Sequence, residues 1–239
     1  LDDQEEVAEI FKNYNFISLP VVDNEGRLVG IITVDDIMDV IDQENTEDFE
    51  KMAALLPSED EYLKTSVYTL TKNRLPWLMV LMISGTISAA IISHYQYVLT
   101  SVLALSAYMT ILTGTGGNSG SQASTLIIRG MALGEIEMKD IIKVIWKEVR
   151  VGLLCGLALG AVNFARLFIF DGVSIAVNIA VSLTMAAVVV VAKAIGCTLP
   201  ILAKRVGFDP AIMAGPLITT VVDAVSLLIY FNIASVLLL

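Results

Sequence analysis

Hydrophobic and polar positions change rhythm twice along this chain. The stretch DQEEVAEIFKNYNF repeats its apolar residues at helical spacing, with Val7, Ile10, Phe11 and Tyr14 on one face, and predicts an amphipathic helix. SLPVVDNEGRLVGIIT then reads as two strands joined by the turn Asp23-Asn24-Glu25-Gly26, whose Asn and Gly suit a tight hairpin. Thr33 is a suitable N-cap for a second helix, which runs from Val34 to Leu56 and stops before Pro57. On that helix Asp35, Asp36, Asp39, Asp42, Glu47 and Glu50 gather on one side, and Ile37, Val40, Ile41, Phe49 and Met52 on the other. From Pro76 onward the pattern is almost continuously apolar. Five segments long enough to cross a bilayer follow, at 76–93, 97–128, 141–168, 172–196 and 210–238. The expected fold class is a mainly α polytopic membrane protein with five transmembrane helices, preceded by a partial α/β piece and an acidic connecting helix. The expected boundaries are 1–42 for the α/β piece, 34–56 for the connecting helix, 57–75 for a linker and 76–239 for the membrane domain.

Composition agrees with a membrane protein, since 56% of the residues are hydrophobic. The net charge of −10 is unevenly spread: eight acidic residues and no basic one lie between Asp35 and Glu50. Such a run is either a solvated face or a cation-sensing surface, because stacked carboxylates repel unless a divalent ion bridges them. Basic residues orient the spans. Lys64, Lys72 and Arg74 precede the first; Arg129, Lys139, Lys143, Lys147 and Arg150 surround the second connection; Lys193, Lys204 and Arg205 surround the fourth. The other two connections offer only Arg166, so the N-terminal region is expected in the cytoplasm and the C-terminus outside. Cys155 and Cys197 fall in apolar stretches and His94 is the sole histidine, which argues against a disulfide, a zinc site or histidine catalysis. No nucleophile with a neighbouring base is present, and an enzyme is not expected. The chain opens at Leu1 without a signal-peptide pattern and reads as part of a longer protein.

The chemistry concentrates in two spans. Asp223 sits in the middle of the segment from Pro210 to Leu239, roughly 20 Å along a helix from Asp209 and so near a bilayer midplane. An ionised carboxylate there is costly unless it faces water, a cation or a partner. Asp209, Pro216, Asp223 and Tyr230 recur every seven residues, Thr219 and Thr220 lie a turn before Asp223, and Gly215-Pro216 is a candidate kink that would free backbone carbonyls. The second span carries GTGGNSGSQ over Gly114 to Gln122. Its glycines suit close helix packing, while Asn118 and Gln122 place two amides on one face, Asn118 roughly 16 Å from Arg129 at the cytoplasmic edge. A lone carboxylate with amides and carbonyls suits a hydrated hard cation, and spacing alone does not choose among Mg²⁺, Mn²⁺, Co²⁺ and Ca²⁺. Asp223 as a protonation site in an H⁺- or Na⁺-coupled secondary transporter is the competing reading.

LPVVD and GRLVGIIT resemble the second half of a CBS domain. That resemblance implies that Thr33 and Asp36 are candidates for holding the ribose of an adenine nucleotide such as ATP. Taken together with PILAKRVGFDPAIMAGPLITTVVDAVSLLIYF and GTGGNSGSQASTLIIRG, the chain closely resembles the MgtE magnesium channel family over nearly its whole length. The resemblance implies a Mg²⁺-selective channel: a multi-pass homodimer in a lipid membrane, as in a bacterial inner membrane, with one pore between subunits and no nucleic-acid partner. It implies that Asp223 holds a hydrated Mg²⁺ at the pore centre, with Asn118, Gly116, Gly117, Thr219 and Thr220 lining the path. It further implies that the acidic helix plugs the cytoplasmic mouth when internal Mg²⁺ binds Asp36, Asp39, Glu44, Glu47, Asp48 and Asp209.

Overall fold

Local hydrogen bonding sets the first elements in the computed structural model, which describes residues 3–58 and 62–239. The Asp3 side chain caps helix α1 (Gln4–Tyr14) by accepting from the Glu5 amide at 3.0 Å, and Asn15 closes it in the left-handed region at φ 53°. Strands β1 (Ser18–Val22) and β2 (Leu28–Thr33) pair antiparallel with Ser18 opposite Thr33. Their turn is tied by Asp23, whose Oδ1 accepts from the amides of Glu25 and Arg27 at 2.9 Å, while Gly26 supplies a φ of 75°. Helix α2 (Val34–Met52) follows directly.

The chain divides into two units, Leu1–Lys51 with Leu56–Asn73, and Met52–Leu55 with Arg74–Leu239. The first has a small core of Ala8, Phe11 and Ile37, flanked by Val7, Leu19 and Ile32. Ile10 and Tyr14, expected on the buried face of α1, are exposed, because the hairpin and α2 cover only part of its apolar stripe. Helix α2 ends at Met52 rather than Leu56. Ala54 takes the left-handed conformation at φ 56°, and the Glu50 carboxylate accepts from the Ser58 amide at 2.8 Å.

In the second unit the helices depart from the expected spans in three places. Helix α3 (Val67–His94) begins upstream of Pro76, since Ser66 accepts from the Thr69 amide at 3.1 Å and carries the helix through the charged residues before the apolar run. The expected segment 97–128 is broken into α4 (Gln96–Ser101), a 3₁₀ turn (Leu103–Tyr108) and α5 (Met109–Ala132). Val102 is extended at φ −135°, and the Tyr230 hydroxyl donates to the Leu105 carbonyl at 2.8 Å. After α6 (Ile141–Arg166) and a π-helical turn (Leu167–Asp171), α7 (Ile175–Arg205) continues past the expected end at 196. A 3₁₀ turn (Pro210–Met213) then precedes α8 (Gly215–Leu238).

Four segments among the described residues are long and apolar enough to cross a membrane: Val67–His94, Met138–Asp171, Ile175–Arg205 and Gly215–Leu238. The chain is a multi-pass membrane protein. The second expected span, 97–128, corresponds in part to α5, which is 24 residues long but is held to lower hydropathy by its own Gly, Thr, Ser, Asn and Gln.

Helix α7 is the packing centre, with α5, α6 and α8 all against it. Glycines make the α6–α7 seam close: a Cβ on Gly152 would stand 3.0 Å from the Val190 Cα, one on Gly156 2.6 Å from the Ala186 carbonyl oxygen, and one on Gly160 3.0 Å from that of Ser182. A large apolar cluster including Tyr108, Leu112, Met185, Leu227, Tyr230 and Phe231 fills one end of the bundle. A smaller one of Ile127, Met131, Cys197 and Ile201, against Ile141, Val144 and Ile145, fills the other.

Candidate functional site

The site is built where α8 crosses α5. Gly215 opens α8 at φ 45° after the extended Ala214, and Pro216 occupies the first turn, where its missing N–H costs nothing. The expected kink at Gly215-Pro216 is therefore a helix start. Nor are the carbonyls there bare. Ser124 Oγ donates to the Met213 carbonyl at 2.7 Å, and Thr219 and Thr220 donate to that of Pro216 at 2.9 and 2.8 Å. With their protons committed, the two threonine oxygens present only lone pairs, which accept hydrogen bonds from water.

Asp223 follows one turn later and is half-buried. Among the described residues no hydrogen bond or ion pair reaches its carboxylate, so the reading of a buried Asp bonded to a neighbouring helix finds no support. The heptad stripe dissolves on either side of it. Asp209 lies ahead of α8, accepting from the Ala211 amide at 2.8 Å, and Tyr230 is fully buried in the core.

Helix α5 comes close because glycines face α8. A Cβ on Gly117 would stand 3.1 Å from Thr219 Cγ2 and 3.7 Å from Asp223 Oδ1, and one on Gly116 2.7 Å from Ser226 Oγ. Gly116 and Gly117 are thus buried in the seam, at the level of Thr219 and Asp223. Asn118, next in the chain, and Gln122 one turn on are exposed, and among the described residues neither amide is hydrogen-bonded. The structure brings Gly117, Thr219 and Asp223 together and leaves Asn118 on the open face beside them.

Sequence reasoning missed Ser124 and Ser226. Ser124 belongs to the same polar run as Asn118 and Gln122, a usable signal. Ser226 Oγ is the one buried side-chain polar atom among the described residues without a partner, and only its position three residues past Asp223 marks it.

The remaining candidates lie on or before α2 in the first unit. Thr33 stands directly before α2, and Asp36 accepts from its amide at 2.9 Å and from its hydroxyl at 2.6 Å. The hydroxyl bond, followed by the amide bond, holds the Asp36 carboxyl below the ordinary carboxylate range. Asp36 and Asp39 are exposed, while Glu44, Glu47 and Asp48 are half-buried. Glu47 pairs with Lys51 at 2.5 Å. Burial, then the neighbouring charges of Glu47, Glu5 and Asp3, push the Glu44 carboxyl above its ordinary value. Among the described residues no three carboxylates converge on a ready-made metal site.

Comparison with known proteins bears on both units. Residues 109–233 match the MgtE family model, described as a divalent cation transporter, and residues 2–43 match the CBS domain model. The chain is 41% identical over 236 residues to a protein of Thermus thermophilus named magnesium transporter MgtE, covering 99% of this chain and 52% of that one. Proteins of the same name from Bacillus subtilis and Enterococcus faecalis are 38% and 36% identical, each over 98% of this chain and 51% of theirs. The chain spans about half the length of the curated relatives it matches.

Proposed function

This chain belongs to the MgtE family, and from that premise we propose that it forms part of a homodimeric channel that conducts Mg²⁺ passively, along a path lined by α5 and α8. The observation that carries the proposal is Asp223: a half-buried carboxylate in the middle of an apolar helix, with no protein partner among the described residues and α5 at its level. An ionised group so placed needs a cation or water. Mg²⁺ keeps most of its waters, so one carboxylate per subunit suits it, ringed by acceptors for the outward-pointing water protons. Thr219 and Thr220 offer such acceptors, and Asn118 offers an amide. The same hydration argument sets Mg²⁺ apart from Mn²⁺, Co²⁺ and Ca²⁺, which shed or rearrange their waters more readily.

In this reading α5 is a fifth span, which puts the N-terminal unit in the cytoplasm and the C-terminus outside. The acidic residues of α2, with Asp209, act as the brake. Internal Mg²⁺ bound among Asp36, Asp39, Glu44, Glu47, Asp48 and Asp209 stabilises a closed state, and its loss releases it. The Thr33–Asp36 pair is a further candidate for holding the ribose of ATP.

The test is Mg²⁺ entry into proteoliposomes carrying a Mg²⁺-sensitive dye, with no proton or sodium gradient. Wild-type protein is expected to admit Mg²⁺ down its own gradient. Accumulation against that gradient, driven by an imposed proton or sodium gradient, would show a coupled carrier instead.

A further inference from the structure

Two buried charges lie in the membrane unit away from Asp223. Glu148 of α6 is 9% exposed and Lys193 of α7 is 6% exposed. Among the described residues neither makes a hydrogen bond or an ion pair within 4.0 Å. The glycine seam fixes their relation. Gly160 meets Ser182, Gly156 meets Ala186 and Gly152 meets Val190, so each turn toward the start of α6 advances one turn along α7. One further turn brings residue 148 opposite 193 and 194.

Residues of three helices surround the site. Ala192 and Gly196, on either side of Lys193, meet Gly120 of α5. The apolar cluster of Ile127, Met131, Cys197 and Ile201 against Val144 and Ile145 packs on one side of it, and the glycine seam lies on the other. An unmatched charge among apolar helices is unfavourable, whereas two opposite ones at the same level compensate each other. With no direct contact within 4.0 Å, a pair at this level would be joined through water.

We propose that Glu148 and Lys193 form a water-bridged ion pair between α6 and α7, and that this pair is a positioning element for the pore. It fixes α7 against α6, and α7 is the surface on which both α5 and α8 rest. Neither residue touches the ion. Their effect reaches Asp223 through the packing of Val188 on Gly116 and of Ala192 on Gly120.

The experiment compares Glu148→Gln, Lys193→Met, the double variant, the charge swap Glu148→Lys/Lys193→Glu and the conservative Lys193→Arg, each in the complete protein. Thermal unfolding in detergent and Mg²⁺ flux in proteoliposomes are the two readouts. Each single neutralisation is expected to lower the melting temperature and to cut flux about tenfold, as a lost coupling of neighbours does. The double variant and Lys193→Arg are expected to recover most of both. The Mg²⁺ over Na⁺ permeability ratio should fall in the singles and return in the double, a change that loss of folded protein alone does not produce. Losses that simply add in the double variant overturn the pair. Should the singles fail to fold, recovery of folding in the double or the swap supports it, and failure of both overturns it. The flux readout rests on the transport reading above, but the stability coupling does not. A protein that couples in unfolding yet conducts nothing refutes the transport reading and leaves the pair standing.

Discussion

At the scale of single residues, Asp223 combines what the sequence tells and what it hides. Its place in an apolar segment is visible from hydropathy alone. That no side chain among the described residues answers it, and that Gly117 rather than a larger residue faces it, required the fold. Replacing Asp223 with Ala is expected to reduce Mg²⁺ flux by about a hundredfold. A carboxylate that lowers the entry barrier by about 3 kcal/mol, modest for two charges near contact, accounts for that factor. Melting temperature and dimer content should stay near wild type, because the carboxylate bonds to none of the described residues. Flux in Asp223→Ala proteoliposomes equal to wild type would remove the residue from the path. Thr33 carries a related lesson. Its type and position suggest a cap, and the fold shows its hydroxyl donating to a carboxylate three residues on.

At the scale of elements, the helices were legible wherever apolar periodicity ran unbroken, and illegible where backbone geometry decides. Nothing in the composition of 97–128 marks the break at Val102, because it depends on a tyrosine 125 residues away in sequence. The four-residue spacing of Gly152, Gly156 and Gly160 could be read as a packing face, but its partner could not. Gly156→Ala is expected to destabilise the protein by about 1–3 kcal/mol, since the added methyl meets the α7 backbone at Ala186 and not a side chain that can turn away. Thermal unfolding in detergent measures it, and an unchanged melting temperature would mean the two helices separate freely. Helix α2 has its own signature. The Glu44 carboxyl is raised above its ordinary 4.5, so its proton is held more tightly in the fold than in the unfolded chain. The stability this brings is fully present below pH 4.5 and is lost as pH rises through the raised value. Glu44→Gln should therefore melt higher than wild type at pH 7, with the gap closing toward pH 4. A gap of equal size at both pH values would exclude the ionisation of Glu44 as its cause.

At the scale of the whole molecule, the number of crossings is what hydropathy judges least well. In the transport reading α5 lines an ion path and must carry polar groups, which makes it less apolar than the four segments long and apolar enough to cross a membrane. The acidic run raises a matching question about regulation. If its carboxylates hold the closed state through bound Mg²⁺, then replacing Glu44 and Glu47 with Gln and Asp48 with Asn gives a channel that stays open at millimolar internal Mg²⁺ and still conducts. Patch-clamp recording with Mg²⁺ on the cytoplasmic side decides this, and closure at the wild-type concentration would reduce the run to a solvated face. One feature of the bundle also bears on how the molecule is made. Asn178 donates to the Phe164 carbonyl at 3.1 Å and accepts from Ser182 at 3.2 Å, and Ser182 accepts from Asn163 at 3.3 Å. All of these groups sit on α6 and α7, which are consecutive in the chain. Polar side chains that would burden either helix alone in the lipid find their partners in the very next segment to leave the ribosome. Biogenesis can therefore release α6 and α7 from the insertion machinery as one finished hairpin, before α8 has been synthesised.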